Sequence, residues 1–161
     1  MKRRPLRLLA IDLTAKGLGQ TLLDAKLGLL HWGFSSLTAG DDAVLVARVN
    51  TYIERGKPTA LVLENFAPTK GREGAVRRRN LLIQLAATRH LGLCQVSRKV
   101  VHRVLGTKTK LETAKRLVVM FPELQPRMPR KRKQWTTEDE RMHIFDALGL
   151  AVTVIGIGAR G

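Results

Sequence analysis

Apolar positions along the chain change their period several times, and each change marks an element. The run Leu6-Arg7-Leu8-Leu9-Ala10-Ile11 is nearly continuous and ends at Asp12. It is short for a helix and reads as a central strand, buried on both faces through most of its length. Gly17 and Gly19 precede Thr21-Leu22-Leu23, a return strand, and Leu29 to Phe34 reads as a third. Three early strands separated by glycine-containing turns predict an antiparallel meander. At Asp41-Asp42 the pattern becomes helical, with Ala43, Val44, Val46, Ala47, Val49 and Ile53 on the apolar face. Either acid suits the start of that helix, and Arg55-Gly56 closes it. Ala60-Leu61-Val62-Leu63 repeats the logic of the first strand and ends at Glu64. A helix between two such strands predicts that they run side by side in parallel.

The second half is punctuated by charge. Residues 69–79 read as a basic, glycine-containing loop, followed by a helix from Asn80 to His90 ended by Gly92, and a short strand, Leu93 to Val96. Residues 99–110 form a second basic stretch. Thr113 to Phe121 reads as a helix with Ala114, Leu117, Val118 and Phe121 inward, and Pro122, Pro126 and Pro129 break the segment after it. Thr136-Thr137-Glu138-Asp139-Glu140 has the cap and acids of a helix start, and that helix runs through His143 and Asp146 to about Gly156. The order predicts an α/β fold: a mixed five-stranded sheet, antiparallel in its first three strands and parallel after them, flanked by helices. One domain covering 1–161 is expected at this length.

Charge narrows the partners. Lys and Arg number 29 against 13 Asp and Glu, a net charge of +16. Such an excess predicts a polyanion, nucleic acid before an anionic membrane surface. Cys94 is the single cysteine, which excludes an internal disulfide and a cysteine-based metal cluster and fits a reducing, cytoplasmic setting. Arg7 and Asp12 interrupt the apolar region that a signal peptide would need. The last apolar stretch, Ile144 to Ala159, is short for a bilayer and contains Asp146. No membrane span is expected.

The acids carry the candidate chemistry. Asp12 and Glu64 end apolar strands and stand together if those strands are neighbours. Asp139, His143 and Asp146 recur at steps that return to one helix face. Asp146 interrupts the apolar Ile144-Phe145-Asp146-Ala147-Leu148, and a buried carboxylate needs a partner or a cation. Converging carboxylates without cysteine suit Mg²⁺, with Mn²⁺ as a substitute. On a cationic surface the matching chemistry is phosphodiester hydrolysis at two metals. Plain structural readings stand beside this: Asp12 as a turn residue, Glu64 as a solvated strand end, His143 as a satisfied core histidine. Trp32 and Trp135 read as packing residues, Trp135 with the further option of a nucleotide contact, and Cys94 as a small core residue. Either His143 or Asp139 can complete the site. Three basic groups are assigned to phosphate binding: Lys70, Arg72, Arg77, Arg78 and Arg79; Arg103, Lys108 and Lys110; Arg130, Lys131, Arg132 and Lys133.

Four stretches together resemble the RuvC-type Holliday-junction resolvases of the ribonuclease H-like superfamily. They are Leu8-Leu9-Ala10-Ile11-Asp12, Leu61-Val62-Leu63-Glu64-Asn65-Phe66, Gly106 through Thr113-Ala114-Lys115, and His143 through Asp146-Ala147-Leu148 to Ala151. They occur in the family's order and span nearly the whole chain. The resemblance implies a Mg²⁺-dependent endonuclease for branched DNA, above all the four-way junction, working as a homodimer without a small-molecule cofactor. It implies Asp12, Glu64 and Asp146 as metal-binding catalytic carboxylates, with His143 as fourth ligand. Lys115 would lie near the scissile phosphate and Phe66 would stack at the junction centre. The family's Pro-Gly after the first Asp is replaced here by Leu13-Thr14, and the 127–133 segment is unusually basic. Both features suit a divergent member, bacterial, phage-encoded or organellar. A related nuclease acting on structured RNA and a non-catalytic junction-binding protein are the alternatives.

Overall fold

The computed structural model describes residues 3–130 and 139–160. Five strands form one sheet in the order β3-β2-β1-β4-β5. β1 (Arg7–Thr14), β2 (Gly17–Asp24) and β3 (Leu29–Ser36) are the antiparallel meander, and β4 (Ala60–Glu64) and β5 (Gly92–Val96) continue from β1 in parallel. This is the mixed sheet expected from the sequence, with β1 at its centre.

Strand alternation divides the core in two. Leu9, Ile11 and Leu13 of β1 and Leu61 and Leu63 of β4 face one way, against α1 (Asp42–Gly56) and α2 (Glu73–Thr88). Leu8 and Ala10, with Ala60 and Val62, face the other way. There they meet α3 (Arg98–Leu105), α4 (Lys110–Met120) and α5 (Met142–Arg160). Because side chains alternate along a strand, the residues after Ala10 and Val62 on that second face are Asp12 and Glu64. Ala10 pairs with Val62 in the parallel ladder, so the two acids leave the sheet together at its carboxyl edge. α5 lies across this face and is almost wholly buried through its first ten residues. Among the described residues no helix is long and apolar enough to cross a membrane.

Several boundaries differ from the sequence reading. α2 begins at Glu73, so Arg77, Arg78 and Arg79 are helical and not part of a loop. Its inner face is Ala75, Arg78, Leu82 and Ala86, and an arginine at one of those positions hides the apolar period. The basic stretch after β5 contains α3, whose buried residues are only Val101 and Leu105. Ser97 caps it by accepting from the Val100 amide, and Gly106 ends it at φ +68°. α4 starts at Lys110, with Thr109 accepting from Glu112 N and the Glu112 carboxylate accepting from Lys108 N. Asp41 does not cap α1; its carboxylate turns back to the Thr38 amide and hydroxyl. α5 begins at Met142 and Asp139 precedes it, while Thr136, Thr137 and Glu138 lie outside the described residues.

Candidate active site

Asp12, His143 and Asp146 come together at the carboxyl edge of β1, and one donor atom from each lies within 4.8 Å of the others. Asp12 is 4 % exposed and Asp146 2 %. His143 Nδ1 donates to Asp12 Oδ2 at 2.9 Å and stands 3.7 Å from Asp146 Oδ2. Phe34 of β3 stacks on the imidazole, with ring centroids 5.5 Å apart, and fixes its plane. Gly19, paired with Asp12 across the β1–β2 ladder, lets the His143 backbone lie directly on β2.

Arg98, the first residue of α3, stands among the acids. Its Nη2 lies 3.7 Å from Asp12 Oδ1, its Nε 3.5 Å from Glu64 Oε1 and its Nη1 3.4 Å from Asp146 Oδ1. Three nitrogens of one guanidinium thus address three carboxylates. Lys110, the first residue of α4, reaches Asp146 Oδ2 at 3.2 Å. Two helix starts therefore bring cations to the rim where the parallel strands end.

The charges shift one another. Burial pushes the Asp12 carboxyl above its ordinary range and the Asp146 charge adds to this, while the His143 hydrogen bond and Arg98 pull the other way. Burial also acts to raise Asp146, but the His143 hydrogen bond and the Arg98 and Lys110 charges outweigh it and leave this carboxyl low. Burial alone would lower His143; the bonds to Asp12 and Asp146 prevail and hold it up at about 9. The donor set is carboxylate oxygen with one imidazole nitrogen and no thiolate. That chemistry fits a hard divalent cation.

The other assigned residues fall in distinct places. Glu64 is outside the tight trio and joins it through Arg98, with Arg72 Nη2 also 3.7 Å from its Oε2. Phe66, just past β4, carries the Arg72 guanidinium 3.8 Å and the Arg79 guanidinium 4.3 Å from its ring centroid. Arg79 also donates to the Phe66 carbonyl at 2.7 Å. Lys70, Arg77, Arg103, Lys108, Lys115 and Arg130 are exposed. Lys115 lines a groove with Gly106, Thr107, Lys108, Glu112 and Arg116. Two sequence assignments need correction. Arg78 is 2 % exposed, and its guanidinium is used by Asp42, the Thr14 carbonyl and the Thr38 carbonyl, so it is an internal strut and not a phosphate contact. Asp139 precedes α5, is held by Arg141 and by the Arg130 amide, and is not one of the converging donors. Lys131, Arg132, Lys133 and Trp135 lie outside the described residues. Trp32 and Cys94 pack, partly buried, against the α5-side core.

Sequence reasoning missed Arg98. The available signal was Ser97 as a helix cap directly after a parallel strand, which puts the next side chain at the same rim as Glu64, the partner of Val96 in the β4–β5 ladder.

No family model matches the chain, and no curated protein matches it in sequence. Solved structures do. Thermus thermophilus RuvC in complex with a Holliday junction substrate superposes with a TM-score of 0.76 at 19% identity, covering 97% of this chain and 96% of that one. The chain has the RuvC fold. A further T. thermophilus RuvC structure gives a TM-score of 0.72 at 17% identity, covering 97% of each chain. The yeast mitochondrial Holliday junction resolvase Ydc2 gives 0.68 at 14% identity, covering 99% of this chain and 82% of that one. The sheet order, the early antiparallel strands and the closing helix all belong to this RNase H-like architecture.

Proposed function

We propose that this chain is a divalent-metal-dependent endonuclease that cuts phosphodiesters in branched DNA, with four-way junctions as its preferred substrate. One observation carries the reading: two buried carboxylates and a histidine converge at the carboxyl edge of the central strand of a RuvC fold, with a third carboxylate linked to them through one arginine. The protein alone must compensate these buried acids with Arg98, Lys110 and His143.

Asp12, Asp146 and His143 would hold the metal, with Glu64 at the neighbouring strand end. Mg²⁺, or Mn²⁺ in its place, supplies Lewis-acid activation of water and stabilisation of charge at the phosphate when bound. The protein's own groups do the rest. His143, fixed by Phe34 and Asp12, keeps a polar nitrogen aimed into the acid cluster. Lys110 and Lys115 on α4, with Lys108 and Arg103, give that side of the site a cationic approach for the backbone of a DNA arm. Phosphate contacts of this kind position without reading bases, so selectivity comes from the shape of the branch. Paired cuts at a junction require two such sites, which makes a homodimer part of the proposal.

The test is cleavage of a synthetic four-way junction with Mg²⁺, by the wild type and by Asp146→Asn. Paired nicks by the wild type and none by the variant, with junction binding retained, support the reading. Junction binding without cleavage in either protein, in Mg²⁺ and in Mn²⁺, leaves a binding module and sinks the nuclease. Cleavage of structured RNA in preference to the junction moves the substrate class.

A further inference from the structure

Arg98 occupies a position that its own helix does not require. It is the first residue of α3, beyond the cap, where the hydrogen bonding of the helix makes no demand on a side chain. Instead of turning to solvent, it places Nη2, Nε and Nη1 at 3.7, 3.5 and 3.4 Å from Asp12, Glu64 and Asp146. All three distances sit within ion-pair range. Among the described residues the guanidinium is therefore shared by three acids. Its side chain is 18% exposed, so a route to solvent remains open.

We propose that Arg98 is an exchangeable counter-ion that stands in for the divalent cation and must withdraw from the acids when the metal enters. The inference rests on the metal-centre reading above. Two like charges cannot share the same buried oxygens. Like charges a few ångströms apart repel strongly near a protein surface, and a doubly charged ion repels a guanidinium more than a singly charged one does. The oxygens that face Arg98 belong to the acids assigned to the metal, so arginine and metal compete for them. In the metal-free protein Arg98 keeps three mutually repelling carboxylates in place. In the loaded protein it is expelled toward the side from which DNA approaches, where a phosphate is its natural partner. Arg98 thereby sets a threshold for metal loading and links it to the arrival of DNA.

Calorimetric titration of Mg²⁺ and Mn²⁺ into the wild type, Arg98→Gln and Arg98→Lys tests this without DNA and without turnover. The glutamine variant is expected to bind metal at least about tenfold more tightly, a change worth roughly 1.4 kcal/mol. The lysine variant, which keeps the charge, is expected to return toward the wild type. The glutamine variant should also show a larger metal-induced rise in melting temperature, because its metal-free form has lost the counter-ion. A measurement on the wild type covers the case in which the glutamine variant does not fold. With ¹⁵N-arginine label and the lysine variant for assignment, the Arg98 Nε–H resonance should move or broaden as Mg²⁺ is added. Equal or weaker metal binding by Arg98→Gln, or an Arg98 resonance unmoved at saturating Mg²⁺, overturns the proposal and leaves the nuclease reading standing. A wild type that binds no divalent cation, and behaves as Asp146→Asn does, removes both.

Discussion

Gly19 carries the backbone of His143. A Cβ built on Gly19 would stand 2.8 Å from His143 Cβ and closer still to its carbonyl, so only glycine lets α5 rest on β2 at this point. The same residue pairs with Asp12 across the ladder, which places this close approach of α5 to β2 beside the acid cluster. Gly19→Ala is therefore expected to destabilise the fold by about 1–3 kcal/mol, the usual cost of overpacking a close contact. It should also weaken metal binding, because His143 is lifted from Asp12. Urea denaturation and metal titration of the variant check the two effects. A variant with unchanged stability would mean that α5 does not rest on β2 at Gly19.

Arg77 and Arg78 are neighbours in sequence and share Asp42, yet they differ in consequence. Arg78 is enclosed and bonds two backbone carbonyls besides Asp42, whereas the Arg77 side chain is 54% exposed. Removing Arg78 takes one buried donor away from Asp42 and from the Thr14 and Thr38 carbonyls at once, so Arg78→Met should cost about 1–3 kcal/mol. Arg77→Met, at an exposed pair, should cost less than about 1 kcal/mol. Thermal melts of the two variants decide this, and equal costs would contradict the internal role of Arg78.

Asp42 also predicts a pH effect. Hydrogen bonds from Arg77 and Arg78 hold its carboxyl at about 2, below its ordinary 3.8. A depressed carboxyl contributes stability above its unfolded value and loses it as the pH falls through the folded value. The wild type should thus lose stability between about pH 4 and pH 2 through this group. Asp42→Asn should be less stable at neutral pH and should lose less over that window. The measurement is the difference in melting temperature between the two proteins as a function of pH, and a constant difference would refute the assignment.

Much of this arrangement was legible because strand alternation and burial agree. The runs ending at Asp12 and Glu64 were readable as parallel neighbours, and Asp146 stood out as a carboxylate in an apolar helix. The hidden features lay where charge replaces an apolar residue at a buried position. Arg78 broke the period of α2 and made a helical turn look like a basic loop. Arg98 was lost for a related reason, since α3 buries only Val101 and Leu105 and most of its remaining residues read as surface. Asp139 was misplaced because a run of acids after two threonines looks like a helix start, while its carboxylate is in fact bound to Arg141. Net charge pointed to nucleic acid but could not separate an arginine that greets a phosphate from one that braces a loop.

The two lysines of α4 sit in different surroundings. Lys110 is 3.2 Å from Asp146. Lys115 faces the groove beside Gly106 and Arg116. Lys110→Met is expected to lower the cleavage rate within the bound complex. Lys115→Met should weaken junction binding and reduce the slope of log affinity against log salt by about 0.9 for one lost phosphate contact. Single-turnover cleavage and binding at several salt concentrations resolve the two. A Lys115→Met variant with normal affinity and a slowed chemical step would place Lys115, not Lys110, at the reacting phosphate.

Among the described residues Phe66 is a candidate for reading branch shape. Its ring is approached by two guanidiniums, and one of them, Arg72, also faces Glu64. A base that stacks on Phe66 must displace one of these cations. If it displaces Arg72, it also removes a counter-charge from Glu64 and so favours cation binding at that acid. Unpaired or splayed bases are available at a junction centre and absent from a linear duplex, so stacking here would give structure selectivity. An aromatic–base stack is worth about 1–3 kcal/mol. Phe66→Leu should therefore weaken binding to a four-way junction by roughly tenfold, a change of about 1.4 kcal/mol, while leaving affinity for a linear duplex of the same length unchanged. Fluorescence anisotropy with both DNAs makes the comparison. Equal losses on the two would mean that Phe66 only anchors Arg72 and Arg79, and that branch selectivity resides elsewhere on the surface.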